Sequence, residues 1–523
     1  MSANSHPNVT KPGGNLAHVP MKWGVIPVIF LPGIMGTNLK DGKGKPVWTV
    51  NSNLGVADQW AWGLTTDGRA RKRKQQLDPK KTFVDDGGKL PSNLGHLSPA
   101  EAKKRGWTEI SNGFYGEFLG WLEMQLASAY VGQYYSDLGL RGELMQEPIS
   151  EARELKGLPR LTQDEVNVSY DYEFPVYAVG YNWLRSIQDA AAVLQKRVQQ
   201  IIAHYARLPY RCKCSKVILV THSMGGLVAR YYSEVNGGRS NILGIVHGAI
   251  PATGAAEAYR RPKTGVHDKT AIVIGRNAAE VTPIFAQSPG ALQLLPSIHY
   301  GNNWFRIMDV DKAMVSLPIA GNESTLYEQI YTNRNAWYNV VEDKLINPCD
   351  PQKKTINQDW ANYTDLIEKQ VKPFHHDLSK KYHPNTYVFY GEGSGKKTVG
   401  NITWERTQIT SRTSILGNLL SSTRSIDENG KGLVLVPDRS QGKPVFATFQ
   451  LQGPEEDGDG TVPKRSGSAP GKHAKKCVAF LNNFDHASAY DNTHQRDRQR
   501  FAFWGVVKVA YEVIHTPMKP PEK

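Results

Sequence analysis

Lys216-Val-Ile-Leu-Val-Thr-His-Ser-Met-Gly-Gly226 decides how this chain of 523 residues folds. An unbroken apolar run enters His222-Ser223-Met224-Gly225-Gly226, and an apolar helical pattern, Leu227-Val-Ala-Arg-Tyr-Tyr232, leaves it. A serine between a buried strand and a helix sits on a sharp turn that exposes its hydroxyl, the arrangement of a nucleophile elbow. Backbone passes close to such a turn, so small residues are needed two before and two after the serine. Gly225 meets that need, whereas Thr221 stands where glycine is usual. The helix that starts here aims its free amides at charge developing on a substrate.

Outward from the serine, further apolar runs lacking polar alternation read as buried parallel strands. They are Val25 to Leu31, Val176 to Val179, Lys216 to Val220, Ile242 to Val246, Tyr387 to Tyr390 and Cys477 to Leu481. Helical patterns lie between them at Tyr115 to Tyr130, Ser186 to Tyr205, Gly226 to Val235 and Gln495 to Ile514. Strands alternating with helices predict an α/β chain with a mostly parallel, doubly wound sheet. Three excursions break the rhythm and are too long for ordinary connections. The expected organisation is a flexible N-terminus (1–21), a first core part (22–256) with an insertion at 40–166, and a cap insertion (257–385). A core strand (386–395), a β-rich cap insertion (396–448), a C-terminal core part carrying acid and base (449–517) and a tail (518–523) complete it. The β segments of the second cap are Asn401 to Gln408, Leu433 to Pro437 and Val445 to Gln450.

The remaining catalytic groups follow from chain order. Val28-Ile-Phe-Leu-Pro-Gly-Ile-Met-Gly-Thr37 runs off the first strand into a glycine-rich loop. One oxyanion amide comes from the residue after the nucleophile and a second from this early loop. Met224 is the first candidate; Ile34 or its neighbour Met35 is the second. One such donor is worth ~3 kcal/mol of barrier. Acid and base must follow the serine in that order. Asp459, in Gly458-Asp-Gly-Thr-Val462, is the candidate acid, with Asp457 its rival; the acidic run does not have calcium-loop spacing. His486, after the last apolar strand, is the candidate base, with His473 and His494 as neighbours to weigh against it. His222 and His247 read as structural. Gly391-Glu-Gly-Ser-Gly-Lys-Lys-Thr398 resembles a phosphate loop but has Tyr390 and Lys397 at the wrong places, and reads as a flexible β-turn.

Composition narrows the class. With 40% hydrophobic and 21% charged residues the chain reads as an ordinary globular protein. The net charge of +14 favours anionic partners, and no nucleic-acid motif accompanies it. The cluster Arg69, Arg71, Lys72, Arg73, Lys74 reads as a solvated loop, with attraction to a membrane surface as the alternative. Four cysteines, Cys212, Cys214, Cys349 and Cys477, are too few for a disulfide scaffold and read as free thiols. The first twenty residues hold no apolar core of a secretory signal, so synthesis in the cytoplasm without a Sec signal is expected. No run approaches the ~18 apolar residues of a membrane helix.

The motifs also carry a resemblance. Pro-Gly-Ile-Met-Gly-Thr-Asn-Leu (32–39), Tyr181-Asn182-Trp183, the serine motif and Gly-Asp-Gly-Thr-Val resemble the lecithin:cholesterol acyltransferase-like branch of the α/β-hydrolases. Lipases similar to the GPI-inositol deacylase lie close to it. Gly106-Trp107 leading into Tyr115-Gly-Glu-Phe-Leu119 is similar to bacterial type VI secretion lipase effectors. The motifs are scattered over about half the chain. The resemblance implies an α/β-hydrolase fold and hydrolysis of lipid acyl esters by Ser223, Asp459 and His486, with no metal or organic cofactor. Under the effector reading the substrate is anionic phospholipid in a rival cell's envelope. The protein is then a secreted antibacterial toxin that degrades lipid and is delivered there, with an immunity protein and the secretion machinery as partners. Ala291-Leu-Gln-Leu-Leu295 is the expected acyl-chain acceptor. Rival readings are a lipid acyltransferase, a general carboxylesterase, and a non-catalytic binding protein on a hydrolase fold.

Overall fold

The computed structural model describes residues 24–49, 65–127, 139–149, 152–153, 158–207, 214–266, 274–319, 325–407, 415, 426–427, 430–438 and 445–515. The N-terminus at 1–21, the tail at 518–523, Cys212 and the end of the helix expected to reach Tyr130 lie outside these residues.

Seven strands form the central sheet: β1 (Val28–Leu31), β2 (Ala152–Arg153), β3 (Val176–Ala178), β4 (Val217–His222), β5 (Ile242–Gly248), β6 (Thr386–Gly391) and β7 (Lys476–Phe480). Their order is β2-β7-β6-β5-β4-β1-β3. All pairs are parallel except the two-residue edge strand β2, which runs antiparallel to β7 from within the expected insertion at 40–166. The unbroken apolar runs are explained by cover on both faces: every residue of β1, β4 and β5 is buried. The chain steps from β1 out to β3 and returns past β1 to β4. A crevice therefore opens above the carboxyl ends of β1 and β4, where a parallel sheet holds its ligand.

One face packs against α1 (Asn112–Ala127), α2 (Gln163–Tyr170) and α5 (Asp497–His515); Phe30, Val220, Phe118, Phe501 and Trp504 share that core. The other packs against α3 (Ile187–Ala206) and α4 (Met224–Glu234). Helix α3 begins at Ser186, whose hydroxyl accepts from the Asp189 amide, and buries Ala190, Ala191, Leu194, Val198 and Ile201 as one stripe. This is an α/β-hydrolase fold.

The two segments expected as separate caps combine. Phe305–Met308 pairs in parallel with Ile402–Arg406 in a six-stranded sheet that also takes in Leu433–Asp438 and Val445–Leu451. Trp337, Trp404 and Phe449 from this region belong to the same apolar cluster as Leu219 and Leu227 of the main body. Three expectations need correction. Ala291 to Leu295 is packed rather than open: Leu292 and Leu295 are fully buried, and the Gln293 side chain binds the Ile187 amide and Gln188. The basic cluster is not a solvated loop but part of a helix, Thr66–Gln76, because the buried Glu280 carboxylate pulls Arg69 and Arg73 onto the helix Ala278–Phe285. Gly391 to Thr398 is not a flexible turn; Gly393–Thr398 forms a ribbon with Glu456–Gly458, with Lys397 opposite Asp457.

Candidate active site

Ser223 lies between β4 and α4 with φ 51° and ψ −124°, a conformation costly for a residue bearing a Cβ. The surroundings hold it there: its amide donates to the Gly248 carbonyl at 2.9 Å, and its own carbonyl accepts from the Gly226 amide. Gly225 is needed for close approach, since a Cβ there would stand 2.5 Å from the Leu31 carbonyl oxygen. Thr221 fits because its hydroxyl meets His247 Nδ1 at 2.8 Å and its carbonyl accepts from the Tyr490 hydroxyl. His247 is thus a packed histidine, its pKa pushed down to about 3 by burial and by Arg230 and His383.

The structure brings Ser223, Asp459 and His486 together. His486 Nε2 is 2.7 Å from Ser223 Oγ and Nδ1 is 2.8 Å from Asp459 Oδ2. The other Asp459 oxygen accepts from the Thr461 and Val462 amides at 3.0 and 2.7 Å. A carboxylate can only accept, so Nδ1 carries the ring proton and Nε2 is left free to take the serine proton. The Asp459 carbonyl also accepts from the His486 amide, and Thr398 Oγ1 accepts from the Gly460 amide. The ribbon therefore fixes the acid loop. The rivals lie elsewhere: Asp457 is paired with Lys397 Nζ at 2.6 Å, His473 stacks on Tyr382, and His494 opens the turn before α5.

The loop after β1 folds over the serine as a turn, the Gly36 amide donating to the Gly33 carbonyl. Met35 has φ 66°, and its carbonyl accepts from Trp48 Nε1 at 2.8 Å. The amides of Ile34 and Met35 have no hydrogen-bond partner among the described residues. Met224 is the first residue of α4, where an amide has no intrahelical acceptor. Backbone amides left free in this way are the kind of donor that a tetrahedral oxyanion would need. The site is closed: Ser223 is 4% exposed, and the His486 side chain 12%. Gly290, from the expected cap insertion, is packed so closely that an added Cβ would stand 2.3 Å from the Arg185 carbonyl oxygen, 2.5 Å from that of Trp183 and 3.0 Å from Met224 Cε.

Two residues outside the sequence-based candidates for catalysis touch this machinery. Tyr115, on α1, has its hydroxyl 3.0 Å from the Gly33 amide and 2.8 Å from His222 Nδ1; Trp48 holds the Met35 carbonyl. The tyrosine stands inside the quoted Tyr115-Gly-Glu-Phe-Leu119 stretch, but nothing local ties it to residues 82 and 107 positions away. Among the described residues no group of three or more His, Cys, Asp or Glu side chains could hold a metal ion. Cys214, Cys349 and Cys477 are free thiols. No described helix is long and apolar enough to cross a membrane.

Residues 152–482, well over half of the chain, match the family model for lecithin:cholesterol acyltransferase. A chain of the solved Tle4–Tli4 complex is similar over 93% of this chain and 98% of its own length, with 28% identity and a TM-score of 0.75. The phospholipase PlaB from Legionella pneumophila, solved in complex with thio-NAD, aligns over 65% of this chain and 76% of its own, at 12% identity and a TM-score of 0.17. That score is too low to imply a common fold. No curated protein matches in sequence.

Proposed function

The chain belongs to the lecithin:cholesterol acyltransferase family and is a serine hydrolase of carboxylic esters, a lipase or phospholipase; from that premise we propose that it hydrolyses the acyl esters of membrane phospholipids through an acyl-enzyme on Ser223. The observation that carries the reading is the unbroken line from Ser223 Oγ through His486 to Asp459 beneath the unpaired amides of the β1 loop. Ser223 Oγ gives its proton to His486 Nε2 and attacks the ester carbonyl. The oxyanion is received by the amides of Met224 and of Ile34 or Met35. The imidazolium, steadied by the Asp459 carboxylate, passes its proton to the departing lysolipid alcohol. Water then repeats the sequence on the acyl-enzyme, returning the proton to Ser223 and releasing the fatty acid.

Support for a bilayer substrate comes from the +14 charge, which draws the protein to anionic surfaces. The basic helix contributes less than its sequence suggests, because Glu280 holds Arg69 and Arg73. We further propose an antibacterial effector delivered by type VI secretion to a rival cell's envelope. The similar chain was solved as part of a two-protein complex, and we read Tli4 as the counterpart of an immunity protein for this chain.

The test is fatty-acid release from anionic phospholipid vesicles by the wild type and by Ser223→Ala. Release that disappears with Ser223 supports the proposal. Cleavage of short p-nitrophenyl esters alone, still dependent on Ser223, would reduce it to a general carboxylesterase. Ester or sterol-ester products in place of free acid, with an alcohol present, would mark an acyltransferase, and inertness on every ester would remove the catalytic reading.

A further inference from the structure

His222 precedes the nucleophile and points from β4 toward α1, on the opposite face of the strand from Thr221. It is fully enclosed, and both ring nitrogens have partners: Nδ1 lies 2.8 Å from the Tyr115 hydroxyl, and Nε2 lies 2.9 Å from the His486 carbonyl oxygen. The proton positions follow from the chemistry of the partners. A carbonyl only accepts, so Nε2 carries the proton and donates to His486. The Gly33 amide only donates, so the Tyr115 oxygen accepts from it at 3.0 Å. The Tyr115 hydroxyl is then free to donate to Nδ1. Every donor in this line meets one acceptor: Gly33 amide, Tyr115 hydroxyl, His222 ring, His486 carbonyl.

We propose that Tyr115 and His222 are positioning residues that tie the oxyanion loop at Gly33 to the backbone of His486, so that hole and base are held as one rigid piece around Ser223. The proposal rests on the reading of Ser223 as nucleophile and His486 as base. Three independent features support it. A Cβ at Gly33 would stand 3.0 Å from Ser223 Cβ, 3.1 Å from His222 Nδ1 and 3.4 Å from the Tyr115 hydroxyl, so the loop is seated directly on the relay. The Gly33 amide is consumed by Tyr115, while the next two amides, Ile34 and Met35, are left without a partner among the described residues. The His222 and His486 rings lie 4.9 Å apart, so His222 must stay neutral for His486 to hold a proton in the transition state. Burial, reinforced by the facing His486, keeps it neutral by pushing its pKa well below the ordinary histidine value.

Steady-state hydrolysis of a soluble short-chain ester, together with the rate at which a fluorophosphonate labels Ser223, tests the relay in the full chain. Tyr115→Phe removes one hydroxyl; His222→Leu removes both ring partners; His222→Gln keeps an amide that can donate to the His486 carbonyl. Misplacing reacting groups by about 1 Å costs on the order of 100-fold in rate. The expected result is therefore a fall in kcat of about 10- to 100-fold for Tyr115→Phe and His222→Leu, with KM unchanged and labelling slowed in parallel. His222→Gln should recover much of what His222→Leu loses. Wild-type kcat in both Tyr115→Phe and His222→Leu overturns the relay while leaving the triad intact. So does a folded His222→Gln no better than His222→Leu, because the ring would then serve only to fill space. Should Tyr115→Phe fail to fold, judged by its thermal transition, the His222 pair decides alone. Full activity in Ser223→Ala would remove the nucleophile and the relay with it.

Discussion

At the scale of single residues, Asp459 does more than accept one proton contact. One oxygen orients His486 and the other closes the turn by accepting two amides. In Asp459→Asn the amide oxygen would stay with Thr461 and Val462, and the NH2 would face His486 Nδ1. That forces the ring proton onto Nε2, where it can no longer accept from Ser223. We expect kcat on a soluble ester to drop about 10³- to 10⁴-fold with little change in thermal stability; a loss under tenfold would sink the assignment. Thr221 illustrates the opposite case. Its hydroxyl satisfies His247 Nδ1, so Thr221→Val should destabilise by about 1–3 kcal/mol in urea titration, through the buried nitrogen left unpaired. Ser223, Asp459 and His486 are legible in sequence because each follows an apolar strand or a glycine turn in the required order. The Thr221–His247 and Tyr115–His222 pairs are not legible, because their partners come from other elements and leave no local pattern.

At the scale of elements, the elbow is a three-way junction of β4, α4 and the β1 loop. Gly225 is where they meet: an added Cβ would lie 2.5 Å from the Leu31 oxygen and 2.6 Å from the Pro32 oxygen, both rigid backbone. Gly225→Ala should therefore cost about 1–3 kcal/mol of stability by overpacking. Its loss of kcat should exceed that of an equally destabilising change elsewhere, since the displaced backbone leads directly into Ser223 and the proposed oxyanion donors. Equal loss in both variants, measured at matched folded fraction, would argue against the junction. The strands and helices of this junction are readable from hydrophobic runs and periodicity. Helix α1 is readable as a helix, but its place against the sheet is not. The antiparallel edge strand β2 is two residues long and carries no pattern at all.

At the scale of the whole molecule, the cap and the hydrolase body share one apolar cluster, and this too was hidden from sequence. The pairing of Phe305–Met308 with Ile402–Arg406 spans almost a hundred residues, and strand pairing at that range leaves no local trace. A shared core makes stability a global property, and four buried histidines give it a pH dependence. His247, His375 and His383 are held down to about 3, 4 and 4, chiefly by burial, and His222 well below its ordinary value for the same reason. In the unfolded chain each would titrate near ~6.5. Between about pH 6.5 and the folded values the unfolded state therefore binds protons that the folded state refuses, so stability rises with pH through that window and is complete above it. Each such proton contributes about 1.4 kcal/mol per pH unit within the window. The thermal midpoint should therefore fall steeply from pH 7 to pH 5, before most carboxylates titrate. His383→Gln should flatten this dependence by about one proton, read as the change in slope of ΔG against pH. A thermal midpoint that is flat between pH 7 and pH 5 would mean that these rings take up protons as readily in the folded protein as in the unfolded chain.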